Sequence, residues 1–154
     1  FSIPLKCNIS AEKNTHTALS TGKLSGRVLL VEDNTINQQV GLAMLNHLGL
    51  EIDIAENGHA ALKILTHAPD NAYDLVLMDL QMPEMDGITA TKEIRKIARF
   101  AQLPIIAMTA DALGGDRLRC LIAGMNDYIS KPITMTELRR TLERWLAHAP
   151  HEQP

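Results

Sequence analysis

From Arg27 onwards, short apolar segments alternate with longer segments in which apolar residues recur every three or four positions. The short segments have the length of β-strands, and the periodic ones have the spacing of amphipathic helices. The pattern predicts strands over 28–31, 50–54, 75–78, 104–108 and 127–130. It predicts helices over 35–48, 60–65, 88–98 and 113–123, and a last helix after Thr134.

Apolar residues at helical spacing should face a core. Gly49 is a stop signal for the first helix, and Thr134 with Glu137 forms a capping box at the start of the last one. The inward-facing positions predicted for helices one, three and five are Ile36, Val40, Met44, Leu48, Ile94, Ile97, Leu138, Leu142, Trp145 and Leu146.

Strands that alternate with helices form a parallel sheet covered by helices on both faces. Segments 28–31, 75–78 and 104–108 are uniformly apolar, as in central strands, whereas 50–54 alternates with period two and suits an edge. The sequence therefore predicts an α/β fold, a doubly wound (βα)5 parallel sheet with the flavodoxin-like strand order 2-1-3-4-5. Ligands of such sheets bind at the carboxyl ends of the strands, where the order reverses between strands one and three.

The composition excludes several classes of protein. A chain of 154 residues is one domain by length, and with only 3% aromatic residues its core must be aliphatic. A net charge of -3 gives no reason to expect nucleic acid as a partner. Cys7 and Cys120 are far apart and form no CxxC motif, which favours a reducing, cytoplasmic compartment. No apolar run approaches the roughly 20 residues of a membrane span, so we expect no direct membrane contact.

Acidic residues follow the two strands that flank the reversal point. Glu32 and Asp33 end strand one, Asp79 ends strand three, and Thr109 and Lys131 follow strands four and five. Three neighbouring carboxylates repel one another, and a hard cation, Mg²⁺ or Mn²⁺, would relieve this repulsion. Asp79 would then be a nucleophile that forms an aspartyl phosphate. The metal, Lys131 and the Thr109 hydroxyl would stabilise the charge of the transferring group.

Each of these residues also has a simpler interpretation. Asp79 could cap a turn, Glu32 and Asp33 could cap the first helix, Thr109 could cap the fourth, and Lys131 could be a surface lysine. Taken singly, the capping role is the better interpretation of Asp79. The partner motifs together favour the role of phosphoacceptor.

Several separated motifs resemble the receiver domain of two-component response regulators. They are Val31-Glu32-Asp33-Asn34, Met78-Asp79-Leu80-Gln81-Met82-Pro83-Glu84-Met85-Asp86-Gly87, Met108-Thr109-Ala110 and Lys131-Pro132. The resemblance implies that Asp79 accepts a phosphoryl group from a histidine of a kinase or phosphotransfer domain, and that Lys131 contacts this group. It implies that Asp33, Asp79 and the Gln81 backbone carbonyl bind Mg²⁺, with Glu32 contributing through a water.

The same resemblance implies a switch and a cis peptide. Thr109 and Tyr128 would be the pair that reorients on phosphorylation, and the bond before Pro132 would be cis. From the residues alone, Tyr128 could equally be a half-buried strand aromatic. Gln81 and Asp111 occupy positions that vary among receivers and influence the lifetime of the aspartyl phosphate.

A finer resemblance is to receivers fused to hybrid sensor histidine kinases. It is carried by Asn34, Asn37, 108–112, 116–117, 120–121 and 123–128. Residues 1–5 are similar to the last strand of the kinase ATP-binding domain, and the polar, aperiodic segment after them is typical of a linker. We expect 1–25 to be the end of that domain plus a linker, 26–147 the receiver domain, and 148–154 a polar tail.

These resemblances lead to expectations about the parent protein. A chain that starts at Phe1 without Met indicates that a segment preceded it, and the parent is expected to be a hybrid sensor histidine kinase, which could be anchored in a bacterial inner membrane. The fragment itself is expected to be monomeric. Because only a short polar segment follows the last helix in this sequence, we expect the output to be relay to a histidine phosphotransfer domain or a contact with the kinase.

Two other functions compete with phosphoryl acceptance. One is a Mg²⁺-dependent aspartyl-phosphate phosphatase with Asp79 as its nucleophile, but such enzymes usually need a second acid two residues later, where Gln81 stands. The other is a binding module that keeps only the fold. The intact acid pair, Thr109 and Lys131 argue against it.

Overall fold

Five parallel strands form one sheet in the order β2-β1-β3-β4-β5, which confirms the predicted α/β fold. The computed structural model describes residues 24–70, 72–82, 85–110 and 115–146. The strands are β1 (Arg27–Val31), β2 (Glu51–Ala55), β3 (Leu75–Asp79), β4 (Ile105–Thr109) and β5 (Asp127–Ser130). The helices are α1 (Thr35–His47), α2 (Gly58–His67), α3 (Gly87–Arg95), α4 (Asp116–Ala123) and α5 (Met135–Leu146), with a 3₁₀ turn at Ala98–Phe100.

The sheet separates two aliphatic cores. Helices α1 and α5 cover one face, and α2, α3 and α4 cover the other. All five residues of β3 and of β4 are buried, because alternate side chains enter opposite cores. These strands are uniformly hydrophobic because they are central and covered on both faces, as predicted. The carboxyl ends of β1 and β3 lie side by side at the point where the strand order reverses.

The predicted buried face of α1 was wrong at its first two positions. Ile36 is 70% exposed and Val40 is 48% exposed, whereas Gly41 and Leu45 are buried. A Cβ added to Gly41 would lie 2.9 Å from a methyl carbon of Leu30, so the helix backbone packs closely against β1 at this glycine. The prediction from the apolar stripe was wrong because the stripe omitted Gly41. Glycine has no side chain, so at this position the helix backbone itself packs against β1.

Helix α3 ends at Arg95, three residues before the predicted end. The Arg95 guanidinium donates hydrogen bonds to the carbonyls of Phe100, Leu103 and Gly124 at 2.7 to 2.9 Å. These contacts tie Arg95 to the 3₁₀ turn and the chain after it, and Ile97, just before that turn, is half-buried against the core. Periodicity could not predict this end, because it does not report which carbonyls a guanidinium will contact, and the Gly124 carbonyl lies beyond α4.

The last helix agrees with its prediction. The Thr134 hydroxyl accepts a hydrogen bond from the Glu137 backbone N–H at 3.3 Å, and Leu138, Leu142 and Leu146 are buried. No helix among the described residues has both the length and the hydropathy to cross a bilayer. Residues 1–23, Asp111, Leu113 and 147–154 lie outside the described residues, so the interpretations of the linker, of Asp111 and of the tail remain predictions.

The edge strand β2 is tied to the segment before β3 by a tyrosine. The Tyr73 hydroxyl donates to Asp53 Oδ2 at 2.6 Å, and Arg27 Nε lies 3.2 Å from the same oxygen. Burial, the hydrogen bond to Asp53 and the Asp53 charge raise the pKa of Tyr73 from 10.0 to about 12, against the opposing charge of Arg27. Since this pKa lies above that of an unfolded chain, the contact stabilises the fold below pH 10 and is lost as the pH rises toward 12.

A spectrophotometric titration can measure this pKa directly. In a Tyr128→Phe background Tyr73 is the remaining one of two tyrosines, so tyrosinate absorbance reports it alone. We expect a midpoint near 12 while the circular dichroism remains native, and a lower midpoint after Asp53→Asn. A midpoint near 10 in the folded protein would contradict the contact.

Candidate active site

Asp79 is the last residue of β3, and its side chain is almost completely buried. Its Oδ1 accepts hydrogen bonds from Lys131 Nζ at 3.1 Å and from the Gln81 backbone N–H at 3.2 Å. The strand delivers a carboxylate to the edge of an apolar core, where an unpaired charge would be costly. Two donors compensate this cost, so Asp79 is a buried carboxylate fixed in place by hydrogen bonds and not a surface acid.

Glu32 and Asp33, the two acids that follow β1, differ in burial and in hydrogen bonding. Glu32 is 2% exposed, and its Oε1 accepts from the Asn34 N–H at 3.1 Å, whereas Asp33 is exposed. The cap of α1 is Asn34, whose Oδ1 accepts from the Asn37 N–H at 3.0 Å. The carboxylate of Asp33 is therefore not needed for helix capping.

Glu32, Asp33 and Asp79 form one acidic cluster. Each offers a carboxylate oxygen, and these oxygens lie within 4.8 Å of one another. Hard divalent cations prefer such all-oxygen sites, and the Gln81 residue that would add a backbone carbonyl lines the same cavity as Asp33. The donor set thus fits Mg²⁺ chemically. The structure brings together the acids that the sequence predicted from three separate positions.

Lys131 contacts this cluster directly. Its ammonium lies 3.1 Å from Asp79 Oδ1 and 3.3 Å from Glu32 Oε2, and the peptide bond to Pro132 is cis. Burial alone would lower the pKa of Lys131. The hydrogen bond to Asp79 and the charges of Asp79 and Glu32 outweigh that effect and raise the pKa above 10.5. The ammonium is therefore charged at neutral pH, and Lys131 is not an ordinary surface lysine.

Thr109 and Tyr128 lie on the same face of the sheet. Thr109 ends β4 and is buried, and its backbone carbonyl accepts from the Lys131 N–H at 2.8 Å. Tyr128 pairs with Ala107, two residues before Thr109, so the three side chains share one side of the sheet. Tyr128 is half-buried, with the Arg117 guanidinium 5.6 Å from its ring centre. Thr109 and Tyr128 are therefore neighbours on this face, but they are not directly paired across the two strands.

The sequence interpretation gave no individual role to three residues that contribute to the site. Gln38 Nε2 donates to the Glu32 carbonyl at 2.7 Å and so holds the acid pair from α1. Gly87 lets α3 start against the Asp79 backbone, since a Cβ there would overlap the Asp79 carbonyl oxygen. Arg119 of α4 lines the cavity beside the cluster. The conspicuous Asp-Gly pair was a usable signal for Gly87, whereas nothing in the sequence marked Gln38 or Arg119.

Comparisons with known proteins agree with this geometry. The model of the response regulator receiver domain matches residues 28–143. Hybrid signal transduction histidine kinase L of Dictyostelium discoideum is 38% identical in an alignment of 133 residues, and the alignment covers 84% of this chain and 8% of that kinase. The histidine-protein kinase BarA of Escherichia coli K12 is 38% identical over 123 residues, which are 80% of this chain and 13% of that protein.

A solved structure is similar over the same region. The receiver domain of a sensor histidine kinase from Pseudomonas aeruginosa PAO1, with a magnesium ion coordinated in its active site cleft, is 45% identical with a TM-score of 0.73. The match covers 80% of this chain and 99% of that domain. This chain spans less than a fifth of the kinases it matches. It belongs to the family of response regulator receiver domains of two-component signalling, and it resembles the receiver regions of hybrid histidine kinases.

Proposed function

We propose that Asp79 accepts a phosphoryl group from a phosphohistidine, in a reaction that depends on Mg²⁺ or Mn²⁺. The observation that carries this proposal is the buried Asp79 carboxylate, 3.1 Å from the Lys131 ammonium and within 4.8 Å of oxygens of Glu32 and Asp33. A nucleophile, a fixed cation and an oxygen ligand set are the parts that phosphoryl transfer needs.

The metal site would be formed by Asp33, Asp79 and the backbone carbonyl of Gln81, with Glu32 acting through a water. When bound, the ion supplies positive charge to phosphoryl oxygens. The Pseudomonas relative, which has magnesium in its cleft, supports the choice of metal. Direct calorimetric titration with Mg²⁺ measures the binding.

The proposed phosphoryl transfer uses the side chains of Asp79, Lys131 and Thr109. A carboxylate oxygen of Asp79 forms a bond to phosphorus, the bond from phosphorus to the imidazole nitrogen breaks, and its electron pair stays on the imidazole. Lys131 contacts one phosphoryl oxygen with a charge that its neighbours maintain. The Thr109 hydroxyl, on the adjacent strand end, donates to another. Both interactions strengthen as charge builds on the transferring group.

Phosphorylation would change the preferred positions of the Thr109 and Tyr128 side chains. The phosphoryl group draws the Thr109 hydroxyl toward Asp79, and the space that Thr109 leaves on its face of the sheet becomes accessible to Tyr128. Helix α4 packs on that face, so its position would change with the side chains. The signal would thus pass from Asp79 to the surface formed by α4, β5 and α5.

The donor and acceptor partners would be a histidine kinase domain and a histidine phosphotransfer domain. The relatives are much longer histidine kinases, so residues 1–25 are proposed to be the end of a kinase ATP-binding domain with its linker. Residues 26–147 would then be a receiver domain within a hybrid sensor histidine kinase, and 148–154 a polar tail.

Intact mass spectrometry after incubation with phosphoramidate and Mg²⁺ tests the proposal. We expect the mass of one phosphoryl group to be added, and the adduct to be cleaved by hydroxylamine, as an acyl phosphate is. A metal chelator should prevent the addition. No added mass in the presence of Mg²⁺ would contradict the proposed function.

A further inference from the structure

The exposed carboxylate of Asp33 depends on its backbone for its position. Asp79, in contrast, is buried, and its Oδ1 accepts hydrogen bonds from Lys131 Nζ and the Gln81 N–H, so contacts of its own fix that carboxylate. Asp33 lies in the short segment between β1 and α1, where the chain leaves the sheet. The order of this segment therefore decides how well Asp33 is placed toward the other acids.

Gln38 of α1 holds the backbone on both sides of Asp33. Its side-chain Nε2 donates to the Glu32 carbonyl at 2.7 Å, and its backbone N–H donates to the Asn34 carbonyl at 2.9 Å. A carbonyl can only accept, so the amide nitrogen of Gln38 must be the atom that faces Glu32. The Asn34 N–H also donates to Glu32 Oε1 at 3.1 Å. Asp33 is thus the middle residue of a segment whose two flanking residues are both bonded to one glutamine.

The packing of α1 fixes Gln38 in turn. Gly41 and Leu45 are the buried residues of the helix, and Gln38 lies three residues before Gly41 on the same face, half-buried. At Gly41 the helix backbone packs closely against Leu30 of β1. Because close packing resists a shift of α1 relative to the sheet, the Gln38 amide connects the Asp33 backbone to the rigid core.

We propose that Gln38 is a positioning residue that sets the affinity of the acidic cluster for Mg²⁺, and its preference for Mg²⁺ over Ca²⁺, by holding the Asp33 backbone. This inference rests on the metal site of the proposed function. Mg²⁺ demands near-ideal octahedral geometry at short distances, whereas Ca²⁺ accepts longer distances and irregular geometry. Gln38 is uncharged, so losing its hydrogen bond changes the placement of Asp33 and leaves the charge of the cluster unaltered. A loosened Asp33 should therefore weaken Mg²⁺ binding more than Ca²⁺ binding.

Calorimetric titration with each ion tests the proposal. We expect Gln38→Ala and Gln38→Met to raise the dissociation constant for Mg²⁺ roughly tenfold, and that for Ca²⁺ by no more than about twofold. Methionine has the length of glutamine without its donor. Both replacements favour helix, so the Tm of the metal-free protein should change by less than about 3 °C.

The matched controls are Gln39→Ala and Gln39→Met, at the exposed neighbouring position of α1, which should change neither dissociation constant. Asp33→Asn removes a charge instead of a positioning contact, so it should weaken the binding of both ions. An unchanged Mg²⁺ dissociation constant in the Gln38 variants would overturn the inference. Equal losses for the two ions, equal losses in the Gln39 variants, or a much larger fall in the metal-free Tm of both Gln38 variants would also overturn it.

Phosphorylation by phosphoramidate gives a second readout. In the Gln38 variants the Mg²⁺ concentration for half the maximal rate should rise by the same factor as the dissociation constant. The rate at saturating Mg²⁺ should stay within about twofold of the wild type, and a fall in that rate alone would contradict a role in metal affinity. If the wild type binds Mg²⁺ but takes up no phosphoryl group, the proposed function is wrong, and calorimetry still decides the role of Gln38. A wild type that binds no Mg²⁺ would overturn this inference.

Discussion

Asp79→Asn is expected to abolish phosphorylation while leaving the fold intact. The amide has no carboxylate oxygen with which to attack phosphorus, so the covalent adduct cannot form. Its carbonyl oxygen can still accept from Lys131 and from the Gln81 N–H, as Asp79 Oδ1 does. The substitution also removes the charge of one of three carboxylates whose oxygens lie within 4.8 Å of one another. Stability without metal should therefore stay within about 1 kcal/mol of the wild type, or rise.

The measurements are intact mass after treatment with phosphoramidate and Mg²⁺, and urea denaturation. Asp70→Asn is the matched control, since the same chemical change falls on a side chain that is 77% exposed and pairs with Arg99. We expect it to be phosphorylated at the rate of the wild type. Phosphorylation of a folded Asp79→Asn protein to the same extent would place the phosphoacceptor elsewhere.

Gly87→Ala is expected to cause the largest loss of stability among the glycine variants near the site. A Cβ at Gly87 would overlap the Asp79 carbonyl oxygen and lie 3.0 Å from Leu80 Cα. Both are backbone atoms of the strand end and cannot rotate away, unlike the Leu30 methyl group that faces Gly41. Overpacking of this kind costs about 3 kcal/mol, and separating α3 from β3 would also displace the nucleophile.

A fall in Tm of about 10 °C in calorimetry would correspond to this cost for a domain of this size. Phosphorylation of the folded fraction should also slow, because the Asp79 backbone moves. Gly115→Ala is the control: among the described residues other than its chain neighbours, no atom would lie within 4 Å of its Cβ, and its φ is -72°. It should change stability by no more than about 1 kcal/mol, in the favourable direction. Equal stability of the two variants would contradict the proposed close approach at Gly87.

Pattern and motif predicted most of the fold, and the misses share a cause. The uniformly apolar β3 and β4 are central, and the alternating β2 is at the edge, as their hydrophobicity indicated. Helix α1 is rotated relative to its apolar stripe because Gly41 packs against Leu30. Helix α3 ends early where Arg95 donates to carbonyls beyond the helix, including that of Gly124 after α4. Neither the rotation of α1 nor the early end of α3 can be predicted from the local sequence, since both depend on which other segment packs against the helix.

The same division holds at the site. The sequence by itself determined the candidates, because an unpaired acid at the end of an apolar strand is costly and so marks a placed residue, and the order of strands puts Glu32, Asp33 and Asp79 at one rim. Only the tertiary structure decided their states: Glu32 buried and Asp33 exposed, with Lys131 placed between Glu32 and Asp79. It alone brought Arg119 from α4 to the neighbouring cavity. Strand hydrophobicity is a local property, whereas burial, ion pairing and cavity lining arise from residues that are distant in the chain.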